Sequence, residues 1–370
     1  MLRRYRLRDY DFKLIIMIIA ITVMGILAIG SANPSFQQTQ ILGFVMGLFL
    51  MVVLSLFDYS FFLNFHWILY IMNLFLLVLV QLMGSSAGGA QRWVSIAGIR
   101  FQPSETAKIL LILFFAQYIM KHREHLNTLK TLGTIILLML PPLILVYKQP
   151  NLSTTIIIFL VCTVLIFIGG LDYKIIFGIL AVAVPVLVIL LSLILQPEQN
   201  IINDYQQKRI LAWLNPEEYI NTEGFQQANS MIAIGSGQLW GKGLDNNEIG
   251  SVKNGNFISE PQTDFIFAIV GEELGFMGGC AVIILLGLIA LECLMIAKRA
   301  KDLAGTLIAA GMATIIGFQS FINLSVATGL LPNTGIPLPF VSYGLTSLMS
   351  LYIGMGFVLN VGLQCEKKYS

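Results

Sequence analysis

The chain has 370 residues, of which 56% are hydrophobic and only 11% charged, and its formal net charge is +2. Such a balance lies far outside soluble globular usage and reads as a polytopic integral membrane protein. The apolar runs leave no room for a separate soluble domain, and the absence of a basic block argues against nucleic acid as a partner.

In chain order, the first apolar run, Phe12 to Gly30, follows a basic N-terminus, ends at no obvious cleavage site, and is long enough to remain as a first helix. About ten runs of spanning length follow one another, centred near Ala20, Leu50, Phe75, Phe114, Leu140, Val161, Val184, Leu285, Ile316 and Tyr352. Pro141, Pro142 and Pro185 fall inside these runs and predict kinks. The expected fold is therefore an all-α polytopic bundle of about ten transmembrane helices, a single unit over 1–370.

Orientation follows from the cations. Arg3, Arg4, Arg6, Arg8 and Lys13, then Lys121, Arg123 and Lys130, then Lys174, Lys298, Arg299, Lys301, Lys367 and Lys368 all share one side if the helices alternate. The positive-inside rule makes that side cytoplasmic, with both termini inside and a long extracellular loop, about 196–263, between the seventh and eighth spans. Arg92, Arg100, Lys108, Lys148, Lys208, Arg209, Lys242 and Lys253 lie on or near the outer side against this bias, which suggests an outward-facing anion site. Lys242 and Lys253, far along the long loop, read more simply as solvated.

Between Arg92 and Ile109, Pro103 and Ser104 read as a helix start with Ser104 as cap; Glu105 and Lys108 share a face, either as a site-lining pair or as a local strap. YKQPNLST, from Tyr147, forms a tight turn bearing Lys148 and Asn151, explained equally by turn chemistry or by a site. The outer loop holds amphipathic pieces such as YQQKRILAWL. GSGQLWGKG, Gly235 to Gly243, lacks a phosphate loop's ending and preceding strand, and His122 and His125 lack further metal ligands.

FISEPQTDFIFAIVGEELG, Phe257 to Gly275, closes the polar loop and opens a helix, so Glu260, Asp264, Glu272 and Glu273 fall at a membrane boundary where carboxylates are costly. Asp264 is either a helix cap or a general base. Glu272 lies two turns deeper on nearly the same face, so a shared cavity is geometrically open, and the stretch up to Gly275 reads as a half-buried segment preceding the true span. Past Asn323, the residues Pro332, Gly335, Pro337 and Pro339 break the chain, and Ser342, Tyr343 and Gly344 place small polar groups where irregular backbone should line a cavity. The cysteines, Cys162, Cys280, Cys293 and Cys365, form no framework.

GIPLPFVSYG, Gly335 to Gly344, resembles the SEDS (shape, elongation, division and sporulation) family, as do GAQRW, Gly89 to Trp93; RFQPSE, Arg100 to Glu105; IAIGSGQLWGKG, from Ile232; and TDFIFAIVGEELG, from Thr263. These motifs occur in order over nearly the whole chain and look most like the elongation members. The resemblance implies a peptidoglycan glycosyltransferase that polymerises lipid II at the outer face of the bacterial cytoplasmic membrane. Its partners would be a class B penicillin-binding protein, the nascent glycan strand and other elongation or division machinery. Asp264 matches the essential aspartate and is expected to be catalytic; Glu105, Lys108, Arg92, Arg209, Glu260 and Ser342 are expected to bind substrate. Mg²⁺ or Mn²⁺ is the ion that a pyrophosphate leaving group would recruit. Asn151, Ser153, Asn229 and Leu345 depart from the family pattern. The rival expectations are a lipid II flippase or a division or sporulation role; the clustering of unusual charges on one side favours an enzyme over a transporter.

Overall fold

The computed structural model describes residues 10–87, 90–96, 99–196, 202, 204–245, 251, 255, 257–258 and 260–365. Lys253 and the basic residues at both chain ends lie outside them. Helix α1 (Phe12–Ala32) starts at Asp11, whose carboxylate accepts from the Leu14 amide at 3.2 Å. Asn33 alone separates it from α2 (Pro34–Leu56): its backbone N–H donates to Ile29 O, while its side chain caps Ser35 N and Pro34 occupies the first turn. There follow α3 (Tyr59–Asn64) and α4 (His66–Met83), then strands β1 (Ser85–Ala87), β2 (Ala90–Ile96) and β3 (Ile99–Phe101). Next come α5 (Pro103–Lys121), α6 (Leu129–Tyr147), α7 (Leu152–Ile168) and α8 (Tyr173–Ile194). The loop after α8 holds α9 (Asp204–Leu214), α10 (Pro216–Tyr219) and α11 (Phe225–Ser236); the chain closes with α12 (Ile266–Arg299), α13 (Leu303–Ala327) and α14 (Leu345–Leu363).

Every predicted span centre falls within a long helix. Seven described helices, α1, α2, α4, α6, α12, α13 and α14, are long and apolar enough to cross a membrane, and α7 is apolar but shorter. The chain is a multi-pass membrane protein. Helices α6 and α8 run through Pro141, Pro142 and Pro185 as single elements. A small three-stranded antiparallel sheet, in the order β1-β2-β3, precedes α5 in this otherwise helical bundle. At the cap position of α5 stands Gln102, not Ser104, and Ser104 is buried within its first turn.

Apolar side chains cover both faces of these helices, so polarity, small size and packing decide what lies inside. Helix α5 is buried along almost its whole length, and α13 and α14 are largely buried beside it. Small residues bring neighbours close: a Cβ on Gly43 or Gly47 of α2 would stand 2.7 Å from Leu345 Cδ1 or Tyr352 Cδ2 of α14. Leu345, one of the departures from the family pattern, fills that contact.

Helix α12 breaks at Gly275, whose φ of 66° and ψ of −165° are non-helical. The segment before the break is buried rather than half-buried: Ile266 to Glu273 are all buried. A turn from the outer loop is laid across the break. Lys242 N donates to Glu272 O and Gly243 N to Glu273 O, both at 3.0 Å; in return Phe276 N donates to Gln238 O at 2.8 Å and Met277 N to Leu239 O at 3.2 Å. The glycine-rich GSGQLWGKG stretch thus makes a backbone-to-backbone clasp. A Cβ on Gly275 would lie 2.3 Å from Gly241 N. Gly275→Ala is therefore expected to lower stability by about 1–3 kcal/mol from the positive φ alone, with further loss from the clash, read as a lower unfolding midpoint in detergent.

Candidate functional site

Asp264 sits in the turn before α12, and it does not cap that helix: Phe265 holds the cap position with no side-chain hydrogen bond. What holds the turn is its backbone. Three consecutive carbonyls accept from elsewhere: Gln262 O from Tyr343 N at 2.8 Å, Thr263 O from Ser342 Oγ at 2.6 Å, and Asp264 O from Asn323 Nδ2 at 2.8 Å. The carboxylate itself is left for other work.

The broken stretch between α13 and α14 is the other wall. Irregular backbone must find partners at each carbonyl, and here side chains supply them. Asn333 O accepts from Arg209 Nη1 at 3.2 Å, Thr334 O from Ser153, Ile336 O from Asn323 Nδ2 at 2.7 Å, and Pro337 O from Gln319 Nε2 at 2.9 Å. Gly335, with φ 68°, presents an open face: a Cβ there would stand 3.2 Å from Asp264 Oδ2 and 3.9 Å from Arg209 Nη1.

Two guanidiniums act electrostatically on this carboxylate: Arg209 from α9, and Arg92 from β2, where it also donates to the Pro150 carbonyl. Part of Asp264 still meets solvent, but the protein crowds it enough that desolvation raises its pKa above the ordinary carboxylate value. Arg209 and then Arg92 oppose that shift, and Glu260 adds to it. Glu260 is exposed, at the start of the turn, where its carbonyl accepts from Thr263 Oγ1 at 2.9 Å.

Glu105 and Lys108 are 3% and 4% exposed and bonded to each other at 3.0 Å. Lys108 Nζ contacts both Glu105 oxygens and donates at 2.9 Å to Gln319 Oε1, and Ser347 donates to Glu105 Oε2 at 2.7 Å. The pair thus ties α5 to α13 and α14 and, through Gln319, steadies the Pro337 carbonyl. It supports the wall that carries that carbonyl. Ser342, expected to bind substrate, is likewise a clamp: its hydroxyl donates to Thr263 O and accepts from Leu338 N at 2.7 Å.

Other expectations shift for similar reasons. Lys242 is not merely solvated, since its Nζ lies 2.9 Å from Glu272 Oε1, and that bond commits Glu272 to the clasp rather than to a cavity shared with Asp264. Lys208 pairs at 3.8 Å with Glu223 on the surface. Asn151 caps α7 through Thr154 N at 3.3 Å, a task that its amide performs without the charge of an aspartate. Lys148 and Arg100 are exposed. Sequence reasoning missed Gln319 and Asn323. Their signal was present: two amides four residues apart on one face of an apolar helix.

Among the described residues no three His, Cys, Asp or Glu side chains gather as metal ligands. The arrangement can do two things: accept a proton at Asp264 and stabilise negative charge at Arg92 and Arg209.

Comparison with known proteins gives a consistent picture. The family model FTSW_RODA_SPOVE, described as cell cycle protein, matches residues 10–367. The chain is 35% identical over 355 residues to the peptidoglycan glycosyltransferase MrdB of Escherichia coli (strain K12), covering 95% of this chain and 93% of the relative. It is 30% identical over 378 residues to the probable peptidoglycan glycosyltransferase FtsW of Bacillus subtilis (strain 168), covering 96% and 91%. Among solved structures, one described as "Structural coordination of polymerization and crosslinking by a peptidoglycan synthase complex" matches with TM-score 0.79 at 28% identity, over 95% of this chain and 97% of that one. The Thermus thermophilus rod shape determining protein RodA matches with TM-score 0.69 at 27% identity, over 97% and 98%.

Proposed function

We propose, because the chain belongs to the FtsW, RodA and SpoVE family and is a peptidoglycan glycosyltransferase, that it polymerises lipid II with Asp264 as general base. The observation that carries this reading is a carboxylate whose own turn is pinned through three carbonyls while its side chain lies in the field of Arg209 and Arg92. Asp264 takes the proton from the GlcNAc 4-hydroxyl of one lipid II. The freed oxygen attacks the anomeric carbon of the lipid-linked MurNAc, inverts it and expels undecaprenyl pyrophosphate. A leaving group of that charge needs electrostatic stabilisation more than a proton, and the two guanidiniums supply it.

Glu260 adds negative charge beside Asp264 and so favours the proton-accepting role. Glu105, Lys108 and Ser342 position the walls. Two carboxylates beside two guanidiniums make a poor cage for a cation, so Mg²⁺ or Mn²⁺ enters as a counter-ion of the pyrophosphate and no step here depends on it.

The site faces the outside of the cytoplasmic membrane, as the cation distribution in the sequence supports. The partner is a class B penicillin-binding protein, supported by the solved relative whose description joins polymerisation to crosslinking. We place the chain in elongation on its RFQPSE and TDFIF motifs. Purified protein, alone and with the class B partner, is expected to convert labelled lipid II into glycan chains. Flipping of lipid II across vesicles with no polymer formed would overturn the reading. Gly335→Ala tests the geometry: a methyl against Asp264 Oδ2, at a left-handed backbone position, is expected to slow polymerisation by about 10²-fold, measured as initial rate on folded protein.

A further inference from the structure

Helix α11 turns two of its polar residues inward, where Gln227 Nε2 donates to Val326 O at 2.8 Å and Leu331 O at 2.7 Å, and Ser230 Oγ donates to Ala327 O at 2.9 Å. Its apolar Met231 and Ile232 are exposed. The clasp that follows continues this surface: Leu239 is exposed, and Trp240 is 75% exposed.

The backbone bonds of the clasp fix where this surface lies. Gln238 and Leu239 are joined to Phe276 and Met277, the first residues of α12 after its break. Phe276 and Met277 are themselves exposed and begin a stripe that runs on through Ile283, Ile284, Leu288 and Leu291. That spacing is the outward face of a membrane-crossing helix. The exposed side chains of the clasp are thus continuous with a surface that hydrocarbon covers, and they lie level with its first turn. Charge does not oppose burial there, because Lys242 is bonded to Glu272. An indole with a polar N–H and an apolar body is suited to that boundary.

We infer that α11 and the Gln238–Lys242 turn form an anchor in the bilayer interface, in which Leu239 and Trp240 insert among the lipid chains beside Phe276. The occupant is phospholipid, and this inference does not rest on the transferase reading. It gives the clasp a second purpose: the lipid surface holds the strap that closes the break in α12, about three turns from Asp264.

The test is depth-resolved fluorescence quenching of the full chain in nanodiscs, using phospholipids brominated at shallow or deep acyl positions. A variant keeping Trp240 with Trp67, Trp93 and Trp213 changed to Phe is expected to show blue-shifted emission and to lose most of it to shallow bromines, less to deep ones. If that triple variant does not fold, the difference between native protein and Trp240→Phe gives the same quantity. Emission at the wavelength of a hydrated indole, quenched by aqueous acrylamide and by no brominated lipid, would overturn the inference. Blue-shifted emission untouched by bromine would overturn it too, since protein rather than lipid would then cover Trp240.

Discussion

Asp264→Asn is expected to slow lipid II polymerisation by about 10²–10⁴-fold, the range for a lost general base. The fold should survive, because the turn is held through backbone carbonyls that the substitution leaves unchanged. Wild-type rates in the folded variant would remove Asp264 from the chemistry. The pH profile gives an independent reading. A base works only when unprotonated, so the rate should fall as pH drops through the Asp264 pKa. Because crowding by the protein raises that pKa, the acid limb should lie at higher pH than for a solvent-exposed aspartate. Removing Glu260 by Glu260→Gln, which takes away a like charge, should move the limb back toward lower pH.

The second large effect belongs to the buried ion pair. Lys108→Met is expected to cost about 3–5 kcal/mol of stability, because the Glu105 carboxylate then remains buried without its cation. The double variant with Glu105→Met should recover most of that loss, since two apolar side chains of similar volume replace a desolvated pair. Unfolding midpoints of the single and double variants in detergent measure this. A single variant as stable as wild type would show that the ammonium contributes nothing to holding α5 against α13.

Much of the architecture could be read from apolar runs, because a bilayer sets the length of a span and a run of that length has few alternatives. The small sheet was hidden, since β1 and β3 are three residues each and their pairing depends on a partner strand rather than on any pattern of their own. Asp264 could be singled out because a carboxylate at a membrane boundary is costly, but that it does not cap α12 is a matter of local backbone geometry at Phe265, which the sequence pattern does not carry. Glu105 and Lys108 were visible as a pair through their spacing. Their third partner, Gln319, lies 211 positions beyond Lys108, a distance over which local spacing carries no information. The bond of Lys242 to Glu272 and that of Ser342 to Thr263 O were hidden for the same reason: each partner lies far along the chain.

The pinning of the Asp264 turn through main-chain oxygens separates where the turn sits from what it is made of. Every residue, proline included, offers the same carbonyl. The identities of Gln262 and Thr263 are therefore interchangeable as far as these three bonds are concerned, whereas the donors Asn323 and Ser342 are not. A change of side chain on this turn therefore leaves its main-chain anchoring in place, provided the scaffold that grips it is left alone.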